Sequence, residues 1–481
     1  MSRHSPDLNL ALRLPVSASP LRHRIAEAIV EQVRLGRLGP GDALPSTRTL
    51  AADLAVSRSS VVDAYDELVA AGYVVARPGS GTRIAEGADS AATAGAASHV
   101  PTTAAVTASA HPPRRPPPTW DLTPGHPDAS LVSTTDWRRA WRAAAAAPVQ
   151  FTPPGPGGHA ELRLALAGHL RRTRGIVADP DDLVIVPGVA SALRAITVAA
   201  GLAGRDVAFE EPGYVDARRA LQMSGARTRS VEVDGDGLDP RSLLETDAAV
   251  YCTPAHQYPL GARLPAPRRA RLVEWGAATG RLLIEDDYDG EFRYDVSALP
   301  ALRSLDGGRE CVTYIGTASK VLTPSLRLAW MLPPRALRDP VSEALALSGE
   351  TACAVTGLAF ARFIESGALT RHLARASRTY SARRTALVTA LRRHGTGVRL
   401  DGVEAGLHLV LRLPDGCDDD AIAAALSRRG ITVPPLSAYL ADRGTSRGLV
   451  CGYARLPETQ ADTVAAVIAD VVRRHLCRPD S

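Results

Sequence analysis

Lys320 is the only lysine in a chain of 481 residues; the other 55 of its 56 lysine-plus-arginine side chains are arginine. Arginine stays protonated at physiological pH and is never a nucleophile. A partly buried lysine can lose its proton and attack a carbonyl carbon to form an imine. Lys320 lies in the stretch YIGTASKVLTPSLRLAW, after the strand-like CVTYIG, with Ser319 beside it and Arg327 seven residues on. Other residues with chemical use stand at comparable places. RLLIED reads as a buried strand running into Asp286, with Tyr288 two residues later and so on the same side. Tyr214, in EEPGY, follows another strand and can lie flat on an aromatic ring. Gly188, Val189 and Ala190 sit where a strand turns into a helix, so unpaired amides there can hold a phosphate.

An imine-forming lysine, a stacking ring, a phosphate cradle and a carboxylate for a pyridinium nitrogen are the parts that pyridoxal 5'-phosphate needs. The elements that must position them alternate. DDLVIVPGVASALRAITVAAGLA is a strand, a glycine turn and a helix; RDVAFEEPGYVDARRALQMSGA is a second such unit; RLLIEDDYDGEF supplies a third strand. This pattern predicts an α/β domain with a mainly parallel sheet and its ligand beyond the carboxyl ends of the strands.

A second cluster stands near the N-terminus. Leu21, Ile25, Ile29 and Val33 recur every fourth residue before Gly36, which predicts an amphipathic helix. Ser46 can cap a short helix carrying Leu50 and Leu54. Ala55-Val56 make a turn, and Ser57 can cap a further helix with Val61, Tyr65, Leu68 and Val69 inward. YVVARPGSGTRIA then alternates like a hairpin with Pro78-Gly79-Ser80-Gly81 at its tip. Three helices and a hairpin make a winged helix-turn-helix. Ser57, Arg58, Ser59 and Ser60 stand where base edges and phosphates are reached, and Arg58 suits a bidentate contact with guanine. Arg48, Arg77 and the wing-tip Gly79 can meet the DNA backbone.

Residues 86–119, GADSAATAGAASHVPTTAAVTASAHPPRRPPPT with Glu86 before it, are almost entirely Ala, Ser, Thr, Gly and Pro. That composition predicts a mobile linker. The expected domains are therefore 1–85, the DNA-binding unit, and 120–481, the cofactor-binding unit. A net charge of +5 gives no bulk argument for nucleic acid, so binding must come from placement. The six cysteines form no CxxC pair, which argues against zinc and disulfides and suits a reducing cytoplasm. The N-terminus lacks a signal-peptide core and no apolar run is long enough to span a membrane.

The PSxR, LAxxLxVSRxxVxxAYxxLxxxGY and GSGT elements between Leu38 and Thr82 resemble the DNA-binding domain of GntR-type bacterial repressors. Residues from about 120 to 475 resemble a fold-type I aminotransferase through DLTPGHPDASL, TPAHQYPLG, IEDDYDGEFRY, YIGTASKVLTPSLRLAW and EAGLHLVLRL. The join of the two resembles the MocR subfamily of regulators. The resemblance implies that Lys320 carries the cofactor as an imine, Asp286 pairs with the ring nitrogen and Tyr288 reaches the ring hydroxyl. It further implies that Tyr214 stacks on the ring, that Arg327, Ser319 and the Gly188 turn hold the phosphate, and that Arg447 binds an effector carboxylate. Tyr258 replaces the asparagine that aminotransferases set before Pro-x-Gly, and Ala190 a common polar residue of the phosphate turn. A homodimer is implied, because fold-type I sites draw on two subunits. The expected function is a transcription regulator that binds double-stranded DNA and senses pyridoxal phosphate, another B6 vitamer, an amine or an amino acid. The alternative is a working aminotransferase with an accessory DNA-binding domain.

Overall fold

The computed structural model describes residues 12–15, 17, 19–77, 81–97, 119–148, 155, 157–294, 300–395, 398–414, 417–441 and 446–476. Contacts divide the chain into two units, Met1–Arg115 and Pro116–Ser481.

In the first unit α1 (Leu21–Arg34) buries Ile25, Ile29 and Val33. Ser46 accepts the Thr49 amide and caps α2 (Thr47–Asp53); Ser57 accepts the Ser60 amide and caps α3 (Arg58–Ala70). Each cap satisfies a helix-end donor that has no acceptor within its helix. Val61, Ala64, Tyr65 and Leu68 of α3 are buried. Val69, expected inside, is 43% exposed, because one further residue rotates it about 100° off that stripe. β1 (Val74–Arg77) and β2 (Gly81–Ile84) pair antiparallel, from Val74↔Ile84 to Arg77↔Gly81, as the wing. Gly79 and the Arg77 side chain lie outside what is described.

A helix stands where the linker was expected to begin. α4 (Ala88–Ala97) follows the wing, and its Ala88 and Ala92 join the core formed by Ile25 and Ile29 of α1. Alanine is the strongest helix former and small enough for close packing, which outweighs the interspersed Thr93 and Gly95. Thr93 also returns a hydroxyl bond of 2.8 Å to the Asp89 carbonyl. Residues 98–118, the rest of that expected linker apart from Thr119, lie outside the described residues.

The second unit contains β3 (Trp120–Asp121), β4 (Val184–Val186), β5 (Asp206–Glu211), β6 (Arg227–Asp234), β7 (Gly237–Leu238), β8 (Asp247–Cys252), β9 (Leu282–Asp287), β10 (Val312–Thr317), β11 (Ala329–Leu332), β12 (Arg399–Asp401), β13 (His408–Leu413), β14 (Ile431–Thr432) and β15 (Arg447–Gly452). Eight form one sheet in the order β4-β11-β10-β9-β8-β5-β6-β7. The run from β10 to β6 is parallel, and β11 and β7 are antiparallel to their neighbours. Every residue of β8, β9 and β10 is buried, as expected for strands covered on both faces. Phe209, Tyr251, Ile284 and Ile315 point into one core with the helix Val189–Ala199; Ala208, Val250, Leu283 and Val312 point into another with the helix Ala266–Thr279. β12, β13 and β15 form a separate antiparallel sheet. Among the described residues no helix is long and apolar enough to cross a membrane.

Candidate functional site

A cavity of about 380 Å³ opens in the second unit where the parallel strands end. Gly188 follows β4 and precedes the helix Val189–Ala199, whose first amides have no acceptor within the helix. Tyr214 follows β5 as the N-cap of the helix Val215–Met223. Asp286 is the penultimate residue of β9, opposite Ile315 of β10, with Tyr288 just beyond the strand. β10 delivers Ser319 and Lys320 on the short helix Ala318–Val321, where the Thr317 hydroxyl accepts the Ser319 amide. Arg327 precedes β11, and because that strand runs antiparallel to β10 it starts where β10 finishes. One cavity thus gathers Lys320, Asp286, Tyr288, Tyr214, Arg327, Ser319, Gly188, Val189 and Ala190.

Two backbone features make room for the cations. Arg327 has φ 49° and ψ 53°, a left-handed conformation that a side chain with a Cβ rarely adopts and that functional sites retain at some cost. It lies against Gly188, where a Cβ would stand 3.4 Å from Arg327 Nη2. Arg327 makes no ion pair among the described residues, so an unpaired guanidinium meets a helix N-terminus, an arrangement suited to an anion. Gly125 has φ +72°, and a Cβ there would lie 2.9 Å from Lys320 Nζ.

Asp286 is 2% exposed. The Tyr251 hydroxyl donates to its Oδ2 at 2.6 Å, and Tyr251 is itself stacked on Phe209 with centroids 4.5 Å apart. Asp286 Oδ1 is buried without a partner, a cost that a protonated ring nitrogen would remove. Burial lifts the Asp286 carboxyl to about 7, against the Tyr251 bond and the Lys320 charge, which pull it down. Burial also lowers the Lys320 ammonium, opposed by Asp286, Asp289 and Asp216. Both groups are therefore biased toward their neutral forms, and a neutral lysine amine is a nucleophile. Cavity size, unpartnered carboxylate oxygen, aromatic Tyr214 and anion-binding turn together fit a phosphorylated pyridine aldehyde.

In the first unit Ser57, Arg58 and Ser59 are exposed at the start of α3, Ser60 is half-buried, and Arg48 is exposed on α2. The Ser57 hydroxyl lies 2.9 Å from that of Ser59 and 2.8 Å from that of Ser60. Arg58 Nε donates weakly to Thr47 Oγ1 at 3.4 Å, and neither Arg48 nor Arg58 forms an ion pair among the described residues. Arg48 and Arg58 are thus exposed and, among the described residues, without carboxylate partners.

Residues 21–84 match the family of bacterial regulatory proteins, gntR family, and residues 122–468 match aminotransferase class I and II. The chain is 35% identical to the HTH-type pyridoxine biosynthesis transcriptional regulator PdxR of Corynebacterium glutamicum, over 97% of this chain and 99% of that one. It is 30% identical to the probable rhizopine catabolism regulatory protein MocR of Rhizobium meliloti, over 92% of both. This chain is a MocR-type HTH transcriptional regulator. Among solved structures, an archaeal alanine:glyoxylate aminotransferase superposes with a TM-score of 0.68 at 23% identity, covering 74% of this chain and 91% of that one. The Pyrococcus horikoshii kynurenine aminotransferase gives 0.67 at 24%, with the same coverage. These likenesses confirm the fold-type I architecture of the regulator's second unit.

One expected site residue of the regulator stands elsewhere. Arg447 does not line the cavity; it begins β15 opposite Leu413, and its Nη1 donates to the Ser446 carbonyl. The other end of that strand reaches the site: the Gly452 amide bonds Leu122, and a Cβ on Gly452 would touch Thr123 and Pro124, next to Gly125. Five strand steps separate the two ends, roughly 17 Å along the backbone. Residues that sequence reasoning missed include Tyr251, Gly125 and Asp216, which lines the cavity. Gly125 sat inside the DLTPGHPDASL motif and was legible there. Tyr251 offered only its place in a strand beside RLLIED.

Proposed function

We propose that this regulator holds pyridoxal 5'-phosphate in its second unit, reads its presence, and controls transcription of genes for pyridoxine biosynthesis from an operator bound by its first unit. The observation that carries the reading is the sole lysine, Lys320, sharing a cavity with the unpartnered Oδ1 of Asp286. The cofactor would supply an aldehyde carbon for an amine. Lys320 holds it covalently, Asp286 faces the ring nitrogen and Tyr214 covers the ring. Arg327, Ser319 and the amides of Gly188, Val189 and Ala190 receive the phosphate. Tyr288 addresses the ring hydroxyl.

The charge inventory supports a B6 vitamer as the effector rather than a carboxylated amino acid. Among the described residues of one protomer the only cations lining the cavity are Lys320 and Arg327, and both would be engaged by the cofactor; the remaining charge is the carboxylate of Asp216. The relation to the Corynebacterium regulator, whose name ties it to pyridoxine biosynthesis, points the same way. A homodimer in the cytoplasm, each protomer offering Arg58, Ser57, Ser59 and Ser60 to one half-site and Arg48, Arg77 and Gly79 to the backbone, completes the reading.

The test is reduction of the purified protein with borohydride followed by peptide mapping, beside operator binding and a reporter. The label is expected on Lys320, and Lys320→Ala should bind operator DNA while no longer responding to the vitamer. A label on the N-terminal amine alone, or none, would refute cofactor binding.

A further inference from the structure

Beneath the cavity lies a polar cluster that none of the roles above uses. The Tyr288 hydroxyl lies 2.9 Å from His256 Nδ1, and the same Nδ1 lies 2.9 Å from Asp289 Oδ2. His256 and Asp289 are 2% and 1% exposed. His408 sits beside them, with ring centroids 5.0 Å apart and its Nε2 2.9 Å from the Pro259 carbonyl. His256 Nε2, His408 Nδ1 and Asp289 Oδ1 are buried without partners.

These contacts fix the protons. His408 must carry its hydrogen on Nε2 to meet a carbonyl, and burial pushes its imidazolium down to about 3, so it is a neutral ring. The Asp289 carboxylate only accepts, so His256 carries its hydrogen on Nδ1. Its Nε2 is then a bare lone pair facing glycine backbone, since a Cβ on Gly261 would lie 3.2 Å from it and 2.7 Å from Gly402 Cα. An N–H there would be a buried donor without an acceptor, the costlier alternative. With the Nδ1 hydrogen already shared between Asp289 and Tyr288, the Tyr288 oxygen is an acceptor at this contact. Its own hydrogen must point elsewhere, and Tyr288 lines the cavity.

We propose that Asp289 and His256 are positioning residues: they lock the imidazole with its hydrogen on Nδ1, and so make the Tyr288 hydroxyl an obligate donor into the cavity, toward the ring hydroxyl of the bound cofactor. The proposal rests on the cofactor reading above. Its consequence is a tuned proton on the cofactor, because a donor to the ring oxygen weakens that oxygen's hold on the proton it shares with the lysine nitrogen. The other titratable groups facing Tyr288 are Tyr258, Asp286 and Glu210, and they are unchanged in the test.

The test is a pH titration of the visible absorption band of the holoprotein, in wild type, Asp289→Asn, Tyr288→Phe, the double variant of these, and Asp289→Asn with His256→Phe. An amide at 289 permits the other tautomer, and Tyr288 then donates to a bare Nδ1 instead of into the cavity, as a triad histidine misorients when its aspartate becomes asparagine. The midpoint should rise by about 1 pH unit, the effect of losing one hydrogen bond to a charged group. The Tyr288→Phe background should show no further rise, and removing the His256 acceptor should bring the midpoint back toward wild type. Simple loss of a negative charge would move it the opposite way, since a nearby carboxylate favours the protonated form. A fall, no shift, an equal rise in the Tyr288→Phe background, or a band independent of pH in every variant overturns the proposal. So does stoichiometric zinc in the purified protein, which would make the histidines ligands. No visible band in wild type defeats the cofactor reading and this inference together; a band that behaves otherwise than stated defeats this inference alone.

Discussion

Replacing Asp286 by asparagine should stabilise the cofactor-free protein, and do so increasingly with pH. The Asp286 carboxyl rises from an ordinary 3.8 to about 7 in the fold, chiefly through burial. Between those values the unfolded chain has lost the proton and the folded chain has kept it, so the folded state binds more protons and stability falls as pH rises. At 1.36 kcal/mol per pH unit the loss over that window reaches about 4 kcal/mol and is constant above it. Asparagine mimics the protonated acid, keeps an acceptor for the Tyr251 hydroxyl, and has no such slope. Glu210 and Glu285 are also lifted to about 7, chiefly by burial; Glu285 contributes alike to both proteins, and Glu210 differs only by the Asp286 charge, the last of its causes. Urea unfolding of the two proteins at pH 5 and pH 8, with bound aldehyde removed first, measures the difference. The stability gap in favour of Asp286→Asn should widen from about 2 to about 4 kcal/mol. A gap equal at the two pH values, or one favouring wild type at pH 8, would show that the buried carboxyl carries no such cost.

Arg58→Ala should abolish discrimination of operator from random DNA in a binding titration, since each bidentate arginine–guanine contact is worth about 1–3 kcal/mol and a dimer loses two; retained discrimination would remove Arg58 from the interface. Gly125→Ala should lower the fraction of protein labelled at Lys320, because its Cβ would stand 2.9 Å from Nζ at φ +72°; unchanged labelling and thermal midpoint would refute that clearance argument. Arg447→Ala should leave cofactor absorbance and the reporter response unchanged, given its place at the start of β15 and outside the cavity lining; a lost response would place it in effector binding.

The sheet and its site were legible where one strong local signal coincided with chain punctuation. RLLIED, CVTYIG and VIVPG each read as a strand ending on a residue with a use, and the parallel topology brings such ends to one edge without further information. The caps at Ser46 and Ser57 were legible for the same reason: a hydroxyl before an apolar stripe has one common use. α4 was not, because alanine-rich sequence is poor in apolar bulk and its burial depends on a neighbouring helix face. Arg447 could not be placed from sequence, because strand register, not residue type, decides which end of β15 meets Gly125. The His256, Asp289 and Tyr288 cluster was hidden as well: His256 lies 32 residues before Tyr288, and only the adjacency of β8 and β9 joins them.

A site that is costly when empty has a bearing on how a sensor works. The unpartnered Asp286 oxygen and the left-handed Arg327 are unfavourable in the absence of a ligand, and contacts to a ring nitrogen and a phosphate would offset that cost. Binding therefore changes the stability of the second unit by more than its contacts alone would give. For occupancy to reach the DNA, the loaded and empty forms must also differ in their affinity for the arrangement that holds the operator. Asp286→Asn separates the two requirements, since it relieves the cost of emptiness without supplying a ligand. If relief of that cost is what switches the regulator, the variant should drive the reporter toward its vitamer-loaded level with no vitamer present. If the covalent link at Lys320 is what switches it, the variant should stay at the unloaded level, however stable it has become.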